Sequence, residues 1–338
     1  MEQYFPALAR EFARLRAMIA GRTVAVVGHA RPDGDCIGSQ VALARALSAL
    51  GHDVVCVNAD PVPRRLEFLA RGIAFQRTDE ALAGAESRAA IFVDCADPAR
   101  GGERIKARFP NPLGVIDHHI SNASYGAVNV IDPQAAATCE ILAGVFLDAG
   151  LPIDPQMAQA LYTGILTDTG QFRFNATSQR CFVLAGELVA RGASPSEVGY
   201  QIYERETAGK MQLLQRFIAS LRFECDGKVC IGILPEGIFV ETGTTTEDTE
   251  GLVDYARCIE GVEIGVLLER RAGGGVKASL RSKEPSIRLD RIAAQYAGGG
   301  HACAAGLSVT SADDDFYAGL VAALATRLSQ VAAEHVKI

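Results

Sequence analysis

The 338-residue chain has no Cys-x-x-Cys pair, no surplus of basic residues, no long apolar run, no internal repeat and only six histidines. Each shortage argues against a class of protein. Its nine cysteines are scattered singly from Cys36 to Cys303, which signals neither a disulfide framework nor a zinc knuckle and suits a reducing compartment. Lys and Arg total 33 against 40 Asp and Glu, for a net charge of −7. A protein that coats long nucleic acid needs the opposite balance, although a small anionic substrate in a local basic pocket is compatible with it. The shortness of the apolar runs excludes a membrane-spanning helix. Met1–Arg16, where Glu2, Arg10, Glu11 and Arg14 interrupt the apolar residues, reads as an amphipathic helix and lacks a signal peptide's apolar core. What is present is ordinary for a globular protein: 49% hydrophobic and 22% charged residues, in a length that predicts two domains. Such a chain buries enough surface to fold without disulfides or structural zinc.

The first half alternates two rhythms. Thr23–Gly28 (TVAVVG) is a short β-branched run, and Ile37–Leu50 is rich in Ala and Leu at helical spacing. The strand signal returns at Asp53–Asn58, Ala89–Asp94 and Leu113–Asp117, with helical patterns at Ala135–Leu147, Pro155–Thr167 and Ser178–Arg191. Strands separated by helices predict βαβ units, and continuous apolar strands predict a mostly parallel sheet covered on both faces. After Arg191 the rhythm changes. Glu197–Gln215 reads as a charged helical connector, followed by strands at Ile218–Cys225, Val229–Leu234, Gly261–Glu269 and Val276–Arg281. Ala272–Gly275 is a hairpin turn, and helices are predicted over Thr249–Ile259, Leu289–Ala297 and Asp313–Val331. The expected architecture is α/β in two domains: a larger parallel-sheet domain over 1–190, a helical linker over 191–215 and a smaller mixed α/β domain over 216–338.

Chemistry concentrates where strands end. His29-Ala30-Arg31-Pro32-Asp33-Gly34-Asp35 follows the first strand, at the carboxyl end where parallel sheets bind ligands. Taken alone, it could be a solvated turn with His29 in a structural hydrogen bond. However, Asp94 ends a second strand and Asp117-His118-His119 a third, and the carboxyl ends of parallel strands lie side by side. Acidic residues are uncommon inside strands, and three of the six histidines fall in these motifs. Asp168, between small residues at the end of a helical run, is a further candidate, with helix capping as its plain alternative. A carboxylate-rich set with a few imidazoles suits Mn²⁺ or Mg²⁺ better than a thiolate-seeking ion. So many acids repel one another unless cations neutralise them, and paired ions of this kind activate water and clamp phosphoryl oxygens. These residues therefore read as a two-metal phosphoester hydrolase.

The second half adds a basic signal. Seven Lys or Arg lie between Arg270 and Arg291 against Glu284 and Asp290, a local excess inside an acidic chain. Gly298-Gly299-Gly300-His301 follows as a loop whose bare backbone could present N–H groups to a phosphate. A solvated basic face is the plain alternative.

With these residues in view, the chain resembles the DHH/DHHA1 phosphoesterases, most closely their short members, the oligoribonuclease and pAp-phosphatase (nanoRNase) group. The motifs are HARPDGD at 29–35, VDCAD at 93–97, DHH at 117–119, TGILTDTGQFRF at 163–174, ASLRS at 278–282 and GGGH at 298–301. Each is weak alone; six in this order, from about residue 20 to residue 310, are specific. The resemblance implies a DHH catalytic domain facing a DHHA1 substrate-binding domain across a cleft. It implies one Mn²⁺ held by His29, Asp33 and Asp94 and a second held by Asp35, Asp94, His118 and Asp168, with Mg²⁺ as a substitute and a hydroxide between the ions attacking phosphorus. By the same resemblance His119 contacts the scissile phosphate, Asp117 orients the histidines, and Arg281, Ser282, Gly299, Gly300 and His301 grip the phosphate and nucleotide end. The implied activity is hydrolysis of very short oligoribonucleotides to mononucleotides, with 3′-phosphoadenosine 5′-phosphate (pAp) as a further candidate substrate. The implied setting is a cytoplasmic homodimer that binds neither long duplex nucleic acid nor membrane.

Two other readings compete. Phosphodiesterases of cyclic or linear signalling dinucleotides share the paired domains but usually carry sensor or membrane domains as well. A nucleotide-binding regulator would have lost a metal ligand, and none is missing here. Inorganic pyrophosphatases share only the first-half motifs. Ala302-Cys303 stands where many relatives carry a polar pair, which bears on substrate preference. Phe172 and Phe174 are candidates for stacking on a base or for packing beneath the first domain.

Overall fold

The computed structural model describes residues 3–77, 88–310 and 314–335. Residues 1, 2 and 313, placed in helices by the sequence reading, lie outside these. The chain divides into two units, Met1–Arg205 and Glu206–Ile338, the division falling inside segment 191–215.

The first unit is built on a parallel sheet in the order β3-β2-β1-β4-β5-β6. Its strands are β1 (Val24–Val27), β2 (Val54–Asn58), β3 (Phe75–Arg77), β4 (Ala89–Val93), β5 (Gly114–Asp117) and β6 (Val128–Ile131). β1, β4 and β5 are buried along their whole lengths, as a sheet covered on both faces requires. From β1 the chain steps outward through β2 to β3, then returns to β4 on the other side of β1. That reversal is a topological switch point, which leaves a crevice at the carboxyl ends of β1 and β4. The helices used below are α1 (Pro6–Met18), α2 (Gly34–Ala49), α3 (Thr138–Asp148), α4 (Pro155–Asp168) and α5 (Gln179–Ala190).

Glycines set how close α2 and α4 come. A Cβ on Gly34 would lie 2.4 Å from Thr167 Oγ1, one on Gly38 2.5 Å from the Ala160 carbonyl oxygen, and one on Gly164 2.3 Å from Cys139 Sγ. The two backbones therefore touch, which brings Asp35 at the start of α2 beside Asp168 at the end of α4. The Gly164 Cβ would also sit 2.8 Å from Asp35 Oδ1. Gly164→Ala is accordingly expected to destabilise the protein by about 1–3 kcal/mol, the usual cost of overpacking. It should also weaken divalent-ion binding; urea denaturation and calorimetric titration check the two effects separately.

The expected connector Glu197–Gln215 is not one helix. Pro195–Gly199 runs into a π-turn at Tyr200–Glu204, and the Thr207 hydroxyl then accepts from the Lys210 N–H to cap a new helix, α6 (Ala208–Ala219). Because α6 extends to Ala219, the strand expected from Ile218 shrinks to β7 (Arg222–Glu224). The second unit carries a mixed sheet in the order β11-β12-β10-β9-β8-β7, completed by β8 (Val229–Leu234), β9 (Ile264–Arg270), β10 (Val276–Ser282), β11 (Gly299–His301) and β12 (Ala304–Val309). Among the described residues of this sheet, only β8 and β9 pair in parallel. The glycine stretch expected as a loop is thus an edge strand, turned back on β12 by a tight hairpin at Ala302-Cys303.

One expectation about membranes needs correction. Among the described residues, Asp315–Glu334 within α7 (Asp314–His335) is long and apolar enough to cross a bilayer by composition, with a mean hydropathy of 1.2. Alanine raises the mean without making a continuous run of large apolar residues. Leu320, Leu324 and Val331 from this helix are buried in the core of the second unit.

Candidate active site

The eight residues singled out in the first half converge at the switch point. His29 follows β1, Asp33 caps α2 by accepting from the Cys36 N–H, and Asp35 lies in the first turn of that helix. Asp94 follows β4, Asp117 ends β5 with His118 and His119 after it, and Asp168 ends α4. Asp94 adopts φ +54°, a left-handed conformation that Asp tolerates better than most residues. Its carboxylate is the centre of the group: Oδ2 lies 3.3 Å from His29 Nε2, and Oδ1 lies 3.6 Å from His118 Nε2 and 3.7 Å from His119 Nδ1. His29 Nε2 is also 3.7 Å from Asp33, and His118 Nε2 is 3.2 Å from Asp168.

Backbone carbonyls decide which imidazole nitrogens face the carboxylates. His29 Nδ1 donates to the Ala30 carbonyl (2.9 Å) and His118 Nδ1 to the Ala135 carbonyl (3.2 Å). A carbonyl can only accept, so Nδ1 carries a proton in both rings and Nε2 points inward, as in metal-binding histidines whose other nitrogen is held by a carbonyl. His29 Nε2 is buried and has no hydrogen-bond partner among the described residues. An orphaned nitrogen aimed at two carboxylates fits a divalent cation. Two compact groups have suitable donors within 4.8 Å of one another, Asp94 with His118 and His119, and Asp35 with His118 and Asp168. A third group adds Cys36 to His29 and Asp94; burial pushes that thiol's pKa up, leaving oxygen and nitrogen as the natural donors.

Charge in the site is frustrated. Asp35 is fully buried, and although its carboxylate accepts from the Thr138 and Cys139 N–H groups at the start of α3 (2.7 and 2.8 Å), burial and then the charges of Asp94 and Asp168 push its pKa well above the ordinary range. Asp168 is raised to about 6 by burial, with Asp33 and Asp94 adding to it and the His118 hydrogen bond opposing. Burial pulls His118 down, but its hydrogen bond to Asp168 and the charges of Asp35 and Asp94 prevail and raise it to about 10. Burial likewise opposes protonation of His29, and Cys36, Asp33 and Asp94 outweigh it, so the shift is upward. In the absence of a cation, protons do part of a cation's work here.

His119 differs from His118. Its Nε2 lies 2.9 Å from Arg100 Nη1, which can only donate, so Nδ1 carries the ring proton and donates to Asp117 Oδ1 at 2.8 Å. Asp117, fully buried, also accepts from the His118 N–H and the Asn122 amide. Burial raises its pKa, while the His119 hydrogen bond and charge, then Asn122, lower it by more. Sequence reasoning missed Arg100, whose signal is a lone Arg six residues past a strand-ending Asp. It also missed Thr138, whose hydroxyl donates to Asp94 Oδ1 at 3.2 Å. Phe172 stacks on Phe182 with centroids 5.0 Å apart and packs against the first-unit core; Phe174 is half-exposed.

In the second unit, strand register brings three of the chosen residues, Arg281, Gly299 and His301, onto one face. Arg281 on β10 pairs with Ala304 on β12, which pairs with His301 on β11; Ser279, Gly306 and Gly299 form the next row. Directly paired residues share a face of a sheet, so Arg281, Ser279 and His301 surround a floor of Gly and Ala. A Cβ at Gly299 would meet nothing within 4 Å, and Gly300, at φ +141°, takes a conformation that favours glycine. Burial lowers the Arg281 pKa. Ser282 faces the other way: it is 2% exposed, and its hydroxyl donates to the Glu284 carbonyl.

Sequence profiles of the DHH family, N-terminal domain, and of the DHHA1 domain match residues 23–165 and 226–331. The chain is 34% identical over 291 residues to a bifunctional oligoribonuclease and PAP phosphatase NrnA of Thermus thermophilus, covering 86% of this chain and 85% of the relative. It is 29% identical to the protein of the same name from Bacillus subtilis, covering 86% and 91%. Among solved structures, an exopolyphosphatase-related protein from Bacteroides fragilis superimposes with a TM-score of 0.85 at 21% identity, covering 94% of this chain and 95% of that one.

Proposed function

The chain belongs to the DHH family of phosphoric-ester hydrolases, with a DHH domain followed by a DHHA1 domain, and from that premise we propose that it hydrolyses very short oligoribonucleotides to mononucleotides and pAp to AMP. One observation carries the reading: two imidazole Nε2 atoms, each fixed by a backbone carbonyl, aim at the carboxylates of Asp33, Asp94 and Asp168. The relatives' names supply the substrate class.

DHH phosphoesterases are metal-dependent. We assign His29, Asp33 and Asp94 to one Mn²⁺ and Asp35, Asp94, His118 and Asp168 to a second, with Asp94 shared. When bound, such ions activate water and neutralise phosphoryl oxygens. The chain's own residues hold everything else in place. Ala30 and Ala135 orient the two ligand imidazoles, and Asp117 fixes the tautomer of His119, which we assign to the scissile phosphate. Arg281, His301 and the backbone of Gly299 and Gly300 are assigned to the phosphate and nucleotide end. To Ser282 we give a positioning role, because its N–H donates to the Cys303 carbonyl and so ties β10 to the hairpin that presents His301. Nine free cysteines suit a reducing cytoplasm.

The test is Mn²⁺-dependent product release from a 5′-phosphorylated RNA dinucleotide, pAp, a cyclic dinucleotide and a long single strand, with His118→Ala as control. Turnover of the dinucleotide and pAp, lost in the variant, is the expected result. Preference for the cyclic dinucleotide would move the assignment to signalling, and efficient digestion of the long strand would make the protein a processive nuclease. Tight binding with no turnover of any substrate would make it a regulator.

A further inference from the structure

Arg100 has no place in the ligand set, yet the fold fixes it at the edge of that set. It lies in the 3₁₀ turn Pro98–Gly101, where Asp97 caps the turn by accepting from the Ala99 N–H at 2.7 Å. Its own N–H donates to the Asp97 carbonyl, and its carbonyl accepts from the Ala30 N–H at 2.6 Å. The Arg100 backbone is therefore clamped between the loops that follow β1 and β4, the two strands of the switch point.

The side chain makes an unusual choice. Asp33, Asp35, Asp94, Asp117 and Asp168 all lie in this site, and no carboxylate pairs with Arg100 among the described residues. Its guanidinium donates instead to the Nε2 of neutral His119 at 2.9 Å. A guanidinium carries five donors in a rigid fork that matches carboxylate or phosphate geometry. Spending one on an imidazole nitrogen leaves the rest of the fork uncommitted, on a residue that is only partly buried. The carboxylates deeper in the site are drawn to their imidazoles, so the fork is held next to the cluster without being neutralised by it.

We propose that Arg100 grips the scissile phosphate, donating to a non-bridging oxygen and strengthening that contact as charge builds in the transition state. This rests on the phosphoester reading above and adds the residue that meets the anion. Without substrate, the guanidinium rests on His119 Nε2. When a phosphate enters, the fork turns from Nε2 to the phosphate oxygen, while the Nδ1 proton of His119 stays directed at Asp117.

Arg100→Gln and Arg100→Lys test this in the full chain loaded with Mn²⁺. Arg100→Gln is expected to lose about 10²–10³-fold in kcat, the scale for one preorganised donor at a developing charge, with Arg100→Lys recovering about tenfold of it as a point charge without the fork. Competitive inhibition by inorganic phosphate should weaken at least about tenfold in Arg100→Gln, while calorimetric Mn²⁺ affinity and the melting temperature stay at wild-type values. A merely structural role would lower the melting temperature equally in both variants and leave phosphate inhibition unchanged, which overturns the assignment. Wild-type turnover and phosphate inhibition in Arg100→Gln overturn it too. Should wild type cleave neither pAp nor RNA dinucleotide, the substrate reading fails separately, and direct binding of inorganic phosphate to the Mn²⁺-loaded proteins still decides on Arg100: equal affinity rejects it, weaker affinity in the variant supports it.

Discussion

Asp94→Asn is expected to remove at least about 10³ of the hydrolytic rate, the upper scale for losing one preorganised charged or polar group at a reacting centre, while the melting temperature of the ion-free protein barely changes. The two halves of this prediction have separate causes. Asp94 is 2% exposed, and its two oxygens face His29, His118 and His119, so both ions as assigned above draw on it. The amide keeps one oxygen but lacks the charge and the second oxygen that Asp94 would offer to divalent ions. The stability of the ion-free protein depends on a different balance. Asp94 attracts the His29 and His118 imidazoles, whose pKa values it raises, and repels Asp35 and Asp168, whose pKa values it also raises. Deleting its charge removes attraction and repulsion together. The amide oxygen can still accept from the Thr138 hydroxyl, and Asn tolerates φ +54° as Asp does. Steady-state kinetics with Mn²⁺ and thermal melts in chelator measure the two effects. A fall of more than about 10 °C in the melts would make Asp94 a structural residue first, since for a unit of this size that is a loss of several kcal/mol.

Asp94 was legible in the sequence because an apolar run, Ala89 to Val93, ended in a charge. The same signal marked Asp117, and the resulting alignment of strand ends carries most of the site. Where the reading failed, long-range pairing had decided the outcome. Glycines are depleted in strands, so Gly299–His301 read as a loop; only its pairing with Ala304–Gly306 makes it a strand. β6 (VNVI) was missed because it is four residues long and alternately buried at the edge of the sheet. In sequence, only the family resemblance told the two adjacent histidines of Asp117-His118-His119 apart. The physical difference between them lies in their partners: Ala135 claims one ring's Nδ1 and Arg100 the other ring's Nε2. Arg100 itself reaches the site through a 3₁₀ turn clamped by Ala30, and no local pattern announces that. Similarly, Arg281 and Ser282 are neighbours in one motif, yet the period of two in a strand sends them to opposite faces.

Adding a divalent ion is expected to raise the melting temperature of the first unit's transition, and to raise it more at pH 8 than at pH 6. At free ion a thousandfold above Kd, linkage gives about 4 kcal/mol, or roughly 10 °C for a unit of this size. The pH dependence follows from the protons the site holds when no ion is present. His118, raised to about 10, carries a proton on the nitrogen an ion must take, and His29 is shifted the same way. Binding must expel at least the His118 proton, so affinity rises about tenfold per pH unit throughout this window. Asp168 works in the same direction through the ion-free state. Its folded pKa of about 6 exceeds the ordinary 3.8, so the folded state holds that proton more tightly than the unfolded chain, and this contribution is lost as pH rises from about 4 through about 6. The raised His118 contributes stability that is complete below its unfolded value near 6.5 and disappears only toward pH 10. Asp117, shifted down, loses its contribution only as pH falls below the ordinary carboxylate range, outside the window tested. Thermal melts at pH 6, 7 and 8 with and without Mn²⁺, together with titrations in buffers of different ionisation enthalpy to count released protons, measure this directly. An increment independent of pH, with no proton released, would mean that the carboxylates do not hold protons on His29 and His118, and the electrostatic account of the site would fall with it.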